Sequence, residues 1–246
     1  MEWHDDGIII GARKHGETSV IATVLTREHG RHAGLIRGGA GKRMRGIVQP
    51  GNKVRATWRA RLSEHLGNFS LEPIESYAAA ALSNGDRLAA LTSACALIDT
   101  ALPEREPHPA LMDGLEILLC ALNDDSVWPV IYVKWEIGLL TELGFGLDLT
   151  ACAATGETED LIYVSPKSGR AVSRAAGLPY KGKLLALPQF LVDSSAPADI
   201  EDGLRLTAFF LENHVFLHRD AKMPAARERL FDRIKRMNKG DQFSEI

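Results

Sequence analysis

Five short β-type runs, separated by glycine and turn residues and packed into the first 75 or so positions, constrain this chain more than any other feature. They are Gly7 to Arg13, Ser19 to Thr26, His32 to Arg37, Lys53 to Leu62 and Asn68 to Ile74. So small a sheet cannot shield its own edges, and closure into a barrel removes them. The five-stranded OB-fold is the commonest barrel of this size, which makes it the expected architecture of residues 1–77 by analogy of fold.

At Tyr77 the pattern changes. An alanine run is followed by Leu88, Leu91, Cys95, Ile98 and Leu102 at helical spacing, stopped by Pro103. Leu111, Leu115, Leu118, Leu119 and Leu122 mark a second helix after Pro109. A third runs from Pro129 through Val130, Val133, Ile137 and Leu140 to Gly144. Residues 145–177 then lose the helical period among glycines and small polar residues, with one β-like run, Leu161 to Val164. They read as an inserted excursion. Further helices are expected near Lys183 to Leu191, from Asp199 to His218 and from Pro224 to Met237. The fold class is therefore α+β, with a barrel over residues 1–77 and a helical domain over residues 78–246.

Forty-five per cent hydrophobic residues in a 246-residue chain suffice for a sizeable core. No stretch reaches the length of a membrane span, and the N-terminal residues lack the layout of a signal peptide. A cytoplasmic location is expected. Three widely spaced cysteines, Cys95, Cys120 and Cys152, argue against a disulfide framework.

The net charge of −3 hides an uneven distribution. Residues 27–61 hold ten basic residues and one acid, Glu28, a local net of +9 that leaves −12 for the rest of the chain. In the strand from Lys53 to Leu62 every even position is apolar. With a side-chain period of two, Val54, Ala56, Trp58, Ala60 and Leu62 face the core, and Lys53, Arg55, Arg59 and Arg61 share the outer face. Four like charges on one face repel unless an anion joins them, which points to phosphate. A solvated surface strand is the alternative. Upstream, Arg37, Lys42, Arg43 and Arg45 lie on a flexible glycine-rich loop whose backbone can approach phosphates. It is not a nucleotide-binding loop, because Ile36 stands where the first glycine would be and Arg43 where a Ser or Thr is required.

No catalytic constellation is present. His214 and His218 have ligand spacing on one helix but no third ligand, and Glu157, Glu159 and Asp160 read as a solvated acidic turn. A zinc ribbon over Cys152 to Ala176 would need paired thiolates; its four positions here are Cys152, Thr155, Ser173 and Ala176. No cofactor or metal is expected. The basic helix holding Arg227, Arg229, Arg233, Lys235 and Arg236 is a second candidate surface, partly offset by Glu228 and Asp232.

The chain resembles the RecO family of bacterial DNA repair and recombination mediators. The resemblance rests on Asp6 to Ile9, Gly16–Glu17, Val20 to Leu25, then Thr26, Glu28, Gly30, Arg37 to Gly39 and Pro50, and on Cys152 to Gly156 with Ser165 to Gly169. It extends to about Met237. It implies an N-terminal OB-fold, a helical domain with a knob that holds zinc in some members and is degenerate here, and binding of single- and double-stranded DNA. It also implies annealing of complementary strands, partnership with RecR and single-strand DNA-binding protein, and help in loading RecA. The expected DNA contacts are Arg37, Lys42, Arg43, Arg45, Lys53, Arg55, Arg59 and Arg61. The competing reading is a protein-interaction adaptor whose helical domain is the working part.

Overall fold

A computed structural model describes residues 1–241, with the side chains of His218 and of residues 238–241 left out. The described chain packs as two compact units: Met1–Asp125 with Pro224–Leu230, and Ser126–Met223 with residues 231–241.

In the first unit β1 (Glu2–His15), β2 (Ser19–Thr26), β3 (Gly30–Ile36), β4 (Asn52–Arg59) and β5 (Asn68–Ser76) close a barrel in the order β1-β2-β3-β5-β4. This is the OB-fold arrangement, and the chain is α+β. The long β1 makes closure possible: its first half pairs with β4 and its second half with β2, around a register shift between Ile9 and Gly11. Gly7 sits where the strands crowd; a Cβ there would meet Val24 Cγ1 at 2.6 Å. Along β1, Ile8, Ile9 and Ile10 are all buried, because the barrel interior takes Ile9 while the helix Gly85–Ala101 covers the opposite face. The seam between β3 and β5 is thin, a single parallel pair, Leu35 with Asn68.

The alternation expected in β4 holds for Val54, Ala56 and Trp58, all buried. It stops earlier than the pattern implied. The strand ends at Arg59, so Arg61 lies in the following loop and Leu62 is 46% exposed rather than facing the core. The loop folds back so that the Trp58 indole N–H donates to the Leu66 carbonyl at 3.0 Å.

The segment expected as a flexible loop after Arg37 contains a short helix, α1 (Lys42–Ile47), which carries Lys42, Arg43 and Arg45. Beyond β5 come α2 (Tyr77–Leu82), α3 (Gly85–Ala101) and α4 (Pro109–Ala121). The Asn84 side chain caps α3 by accepting from the Asp86 amide at 2.8 Å, and Pro109 occupies the first turn of α4. Three ion pairs tie barrel to helices: Arg31 with Asp99 at 3.0 Å, Lys53 with Glu116 at 2.9 Å, and Arg27 with Asp113.

In the second unit α5 (Trp128–Glu142) packs against α7 (Ile200–Phe210). Gly203 brings them close, since a Cβ there would stand 3.0 Å from Val133, and Thr207 donates to the buried Glu136. The excursion holds β6 (Leu161–Val164), β7 (Ala171–Ser173) and the single turn α6 (Arg174–Gly177). Its sheet is completed by β8 (Leu185–Ala186), in the order β7-β6-β8. The helix expected near Lys183 to Leu191 is therefore absent. The apolar run Leu184 to Leu187 was too short for its period to separate helix from strand, and Pro188 ends it. After α7 the chain continues as one π turn, Leu211–Phe216, and a 3-10 turn, Leu217–Arg219, before α8 (Ala225–Asp241). No described helix is long and apolar enough to cross a membrane.

Candidate nucleic-acid interface

The outer face of β4 carries Lys53, Arg55 and Arg59 as expected, without Arg61, and these three are not alone there. The antiparallel register sets Arg59 opposite Glu2 and Arg55 opposite Asp6 on β1. Arg59 donates to Glu2 at 2.7 Å. The Arg55 guanidinium forks onto both Asp6 oxygens at 2.9 and 3.4 Å, with Glu72 in register on its other side. The hydrogen bond from Arg59 holds the Glu2 carboxyl below its ordinary value. Lys53 is half-buried against Glu116 of α4. The repulsion read from β4 alone is thus relieved by the protein's own carboxylates. Arg55 and Arg59 remain exposed at the level of their side chains, 61% and 66%, so each guanidinium is paired yet open to water.

The remaining five cations stand differently. Arg37 follows β3, Lys42, Arg43 and Arg45 belong to α1, and Arg61 follows β4; all five of these side chains are exposed. Among the described residues none of the five has a carboxylate partner, and Arg45 only reaches the Ala40 carbonyl at 3.4 Å. Beside the thin β3–β5 seam lies an open groove of about 420 Å³. Arg37 and Arg59 line it together with Asn68 and Ser70, and Met44, Phe69 and Leu71 supply its apolar surface. The structure thus brings Arg37, α1 and Arg59 around one concavity, while Lys53 and Arg55 lie further along β4. Asn68, Ser70 and Met44 were not expected from the sequence; the β3–β5 pairing places the first two there, and the packing of α1 on β5 places Met44.

At the Trp58 end of the barrel the rings of Trp3, His29, His32, Trp58 and Phe69 cluster. Trp3 stacks on His29 at 4.1 Å and lies 5.8 Å from Trp58. Trp3 and His29 are only partly buried, whereas His32, Trp58 and Phe69 are buried, and Trp3 packs against the barrel core. His32 is buried with no hydrogen-bond partner on either ring nitrogen. Burial, then the Arg105 and His29 charges, lower its pKa to about 4, so the ring is neutral.

The zinc frame does not fit a metal here. Cys152 is buried and its sulfur accepts from the Ser173 amide at 3.3 Å. Burial would raise this thiol, but hydrogen bonds led by the Ser173 donor outweigh it and bring it to about 6. Thr155 instead bonds Glu157, Ala176 has no ligand atom, and the described residues hold no group of three potential ligands. In α8, Arg227 is buried, so the second basic surface loses one of its members. His214 stacks on Phe210 at 5.5 Å, which accounts for it as a packing residue, and the His218 side chain lies outside the described residues.

Two family models match the chain: recombination protein O N terminal over residues 1–77 and recombination protein O C terminal over residues 82–223. The DNA repair protein RecO of Rhodospirillum centenum is 56% identical over 240 residues, 96% of each chain. That of Rhodospirillum rubrum is 49% identical over 251 residues, covering 98% of this chain and 100% of the relative. That of Methylobacterium nodulans is 50% identical over 236 residues, 93% of this chain and 96% of the relative. With both halves matched and near-complete coverage of such relatives, this chain belongs to the RecO family of DNA repair proteins.

Proposed function

We propose that the protein is a non-enzymatic, cytoplasmic DNA-binding factor that holds single- and double-stranded DNA on the barrel of residues 1–77 and anneals complementary strands. The observation that carries this reading is the set of five exposed cations without carboxylate partners among the described residues, Arg37, Lys42, Arg43, Arg45 and Arg61, of which Arg37 lines a groove together with Arg59 and with Met44 of α1. These are the primary phosphate contacts. Arg55 and Arg59 join when phosphate displaces Asp6 and Glu2, and Lys53, held by Glu116, contributes least. Annealing then needs no acid or base: neutralising two backbones lowers their repulsion and the bases pair unaided. Phosphate contacts carry no sequence information, so preference for sequence is slight. In the resemblance that the sequence carries, RecR, single-strand DNA-binding protein and, indirectly, RecA are the partners of this activity.

The test is oligo-dT binding against salt. About five contacts give a slope of log affinity on log salt of roughly −3 to −4. Replacing Arg37, Lys42, Arg43 and Arg45 by Gln removes no ion pair from the fold and should flatten that slope by about 2.8. An unchanged slope overturns the assignment.

A further inference from the structure

The second unit carries a basic and aromatic element that the barrel reading leaves unused. Between Ala175 and Val192 there is no acidic residue, and the only charges are Lys181 and Lys183. Both lie in Leu178–Lys183, a 3-10 helix none of whose residues is buried. The segment is nevertheless tied down at each end. Gly177 packs so tightly that a Cβ would stand 2.4 Å from the Tyr163 ring, and β8, two residues downstream, pairs with β6. It is thus held by the small sheet while adding nothing to a core.

What it presents to solvent is Tyr180, 61% exposed, and Leu178, 66% exposed, with the two lysines beside them. Among the described residues neither lysine has a carboxylate partner and the Tyr180 ring stacks on no other ring. The preceding cation, Arg174, is committed to Asp160 at 3.1 Å. Large apolar side chains exposed on an anchored element mark a surface that something covers. Lysine is depleted where protein partners dock, whereas an open aromatic face flanked by ammonium groups is the makeup of single-strand sites.

We infer that Leu178–Lys183 is a second single-stranded DNA contact, in which one base stacks on Tyr180 and Lys181 and Lys183 neutralise adjacent phosphates. This rests on the reading of the chain as a DNA-annealing protein and extends it, because annealing involves two strands and gives each unit one to hold. Gly182, between the lysines, leaves the backbone open to close approach; a Cβ there would meet nothing within 4 Å.

The experiment uses the full chain and oligo-dT bearing one iodouracil, with cross-linked peptides mapped by mass. A cross-link at Tyr180 is expected in the wild type, and it persists when Arg37, Lys42, Arg43 and Arg45 are all changed to Gln. In that barrel-altered background, adding Tyr180→Ala, Lys181→Gln and Lys183→Gln should weaken the residual oligo-dT binding by at least about fivefold, the lower bound for one stacked base, with the two lost phosphate contacts adding to it. It should also flatten the salt slope by a further 1.4 or so. No cross-link at Tyr180, or unchanged binding and annealing with the segment altered, overturns the inference. Loss of self-association with DNA binding intact would likewise overturn it in favour of a protein-docking role. The barrel reading fails separately, if the barrel changes alone leave affinity untouched while the Tyr180 changes lower it. Because the altered residues bury nothing, circular dichroism should be unchanged, and the wild-type cross-link decides the matter if it is not.

Discussion

Glu2 and Asp6 occupy the guanidinium groups that phosphate would otherwise take, so removing their charge should tighten DNA binding rather than weaken it. The perturbation is Glu2→Gln with Asp6→Asn, which keeps side-chain size and hydrogen-bonding capacity while freeing Arg59 and Arg55. Both pairs are exposed, with the Arg55 side chain 61% and the Asp6 side chain 41% accessible, so the fold loses little when they go. Two guanidiniums released to phosphate add about two contacts, and at about 0.7 per contact on single strands the salt slope steepens by about 1.4. Over a fourfold rise in salt the variant should then lose about sevenfold more affinity than the wild type, and at low salt it should bind more tightly. The assay is fluorescence anisotropy of labelled oligo-dT at a series of salt concentrations. An unchanged slope would refute the reasoning and confine the interface to Arg37, α1 and Arg61.

Three further outcomes follow from the packing. His32 is neutral in the fold, with its pKa lowered from 6.5 to about 4, so the unfolded chain binds a proton first as pH falls. Stability is full above pH 6.5 and declines by about 3 kcal/mol down to pH 4, and His32→Phe should remove that part of the decline in urea titrations at pH 4 and pH 7. Gly67 has φ +64 and a Cβ there would stand 2.4 Å from the Trp58 indole nitrogen, so Gly67→Ala should cost about 2–4 kcal/mol in chemical denaturation, with a changed Trp58 fluorescence. Because Thr155, Ser173 and Ala176 supply no thiolate beside Cys152, a zinc chelator should leave the melting temperature unchanged, and a drop of several degrees would restore a metal to the knob.

The barrel was legible because its signals are local. Alternation at Val54, Ala56 and Trp58 requires only the pleat, and all three point inward. The partners of the outward residues were not legible, since nothing local says that Glu2 will stand opposite Arg59 or that Glu116, 63 positions beyond Lys53, will reach it. The inference of mutual repulsion was sound for β4 taken alone and incomplete for β4 in its sheet. Helix α1 escaped notice for a different reason: six residues flanked and interrupted by glycine carry no period, and Gly46 lies within it. The groove beside Arg37 depends on where β3 and β5 touch, a single pairing between segments more than thirty residues apart, which no pattern in either strand records.

That single pairing of Leu35 with Asn68, with the Leu35 amide donating to Gly67 at 3.0 Å, also makes the β3–β5 junction the closure with the least backbone hydrogen bonding in the ring. Local opening of a protein begins where few bonds must break together. The barrel is in this sense a hoop with a clasp, and the clasp lies against the groove. A strand seated there would bridge both sides and fasten it, so binding energy at the groove is spent partly on keeping the hoop shut. Amide exchange should register occupancy at Leu35 and Asn68 before it registers it anywhere in β1 or β2.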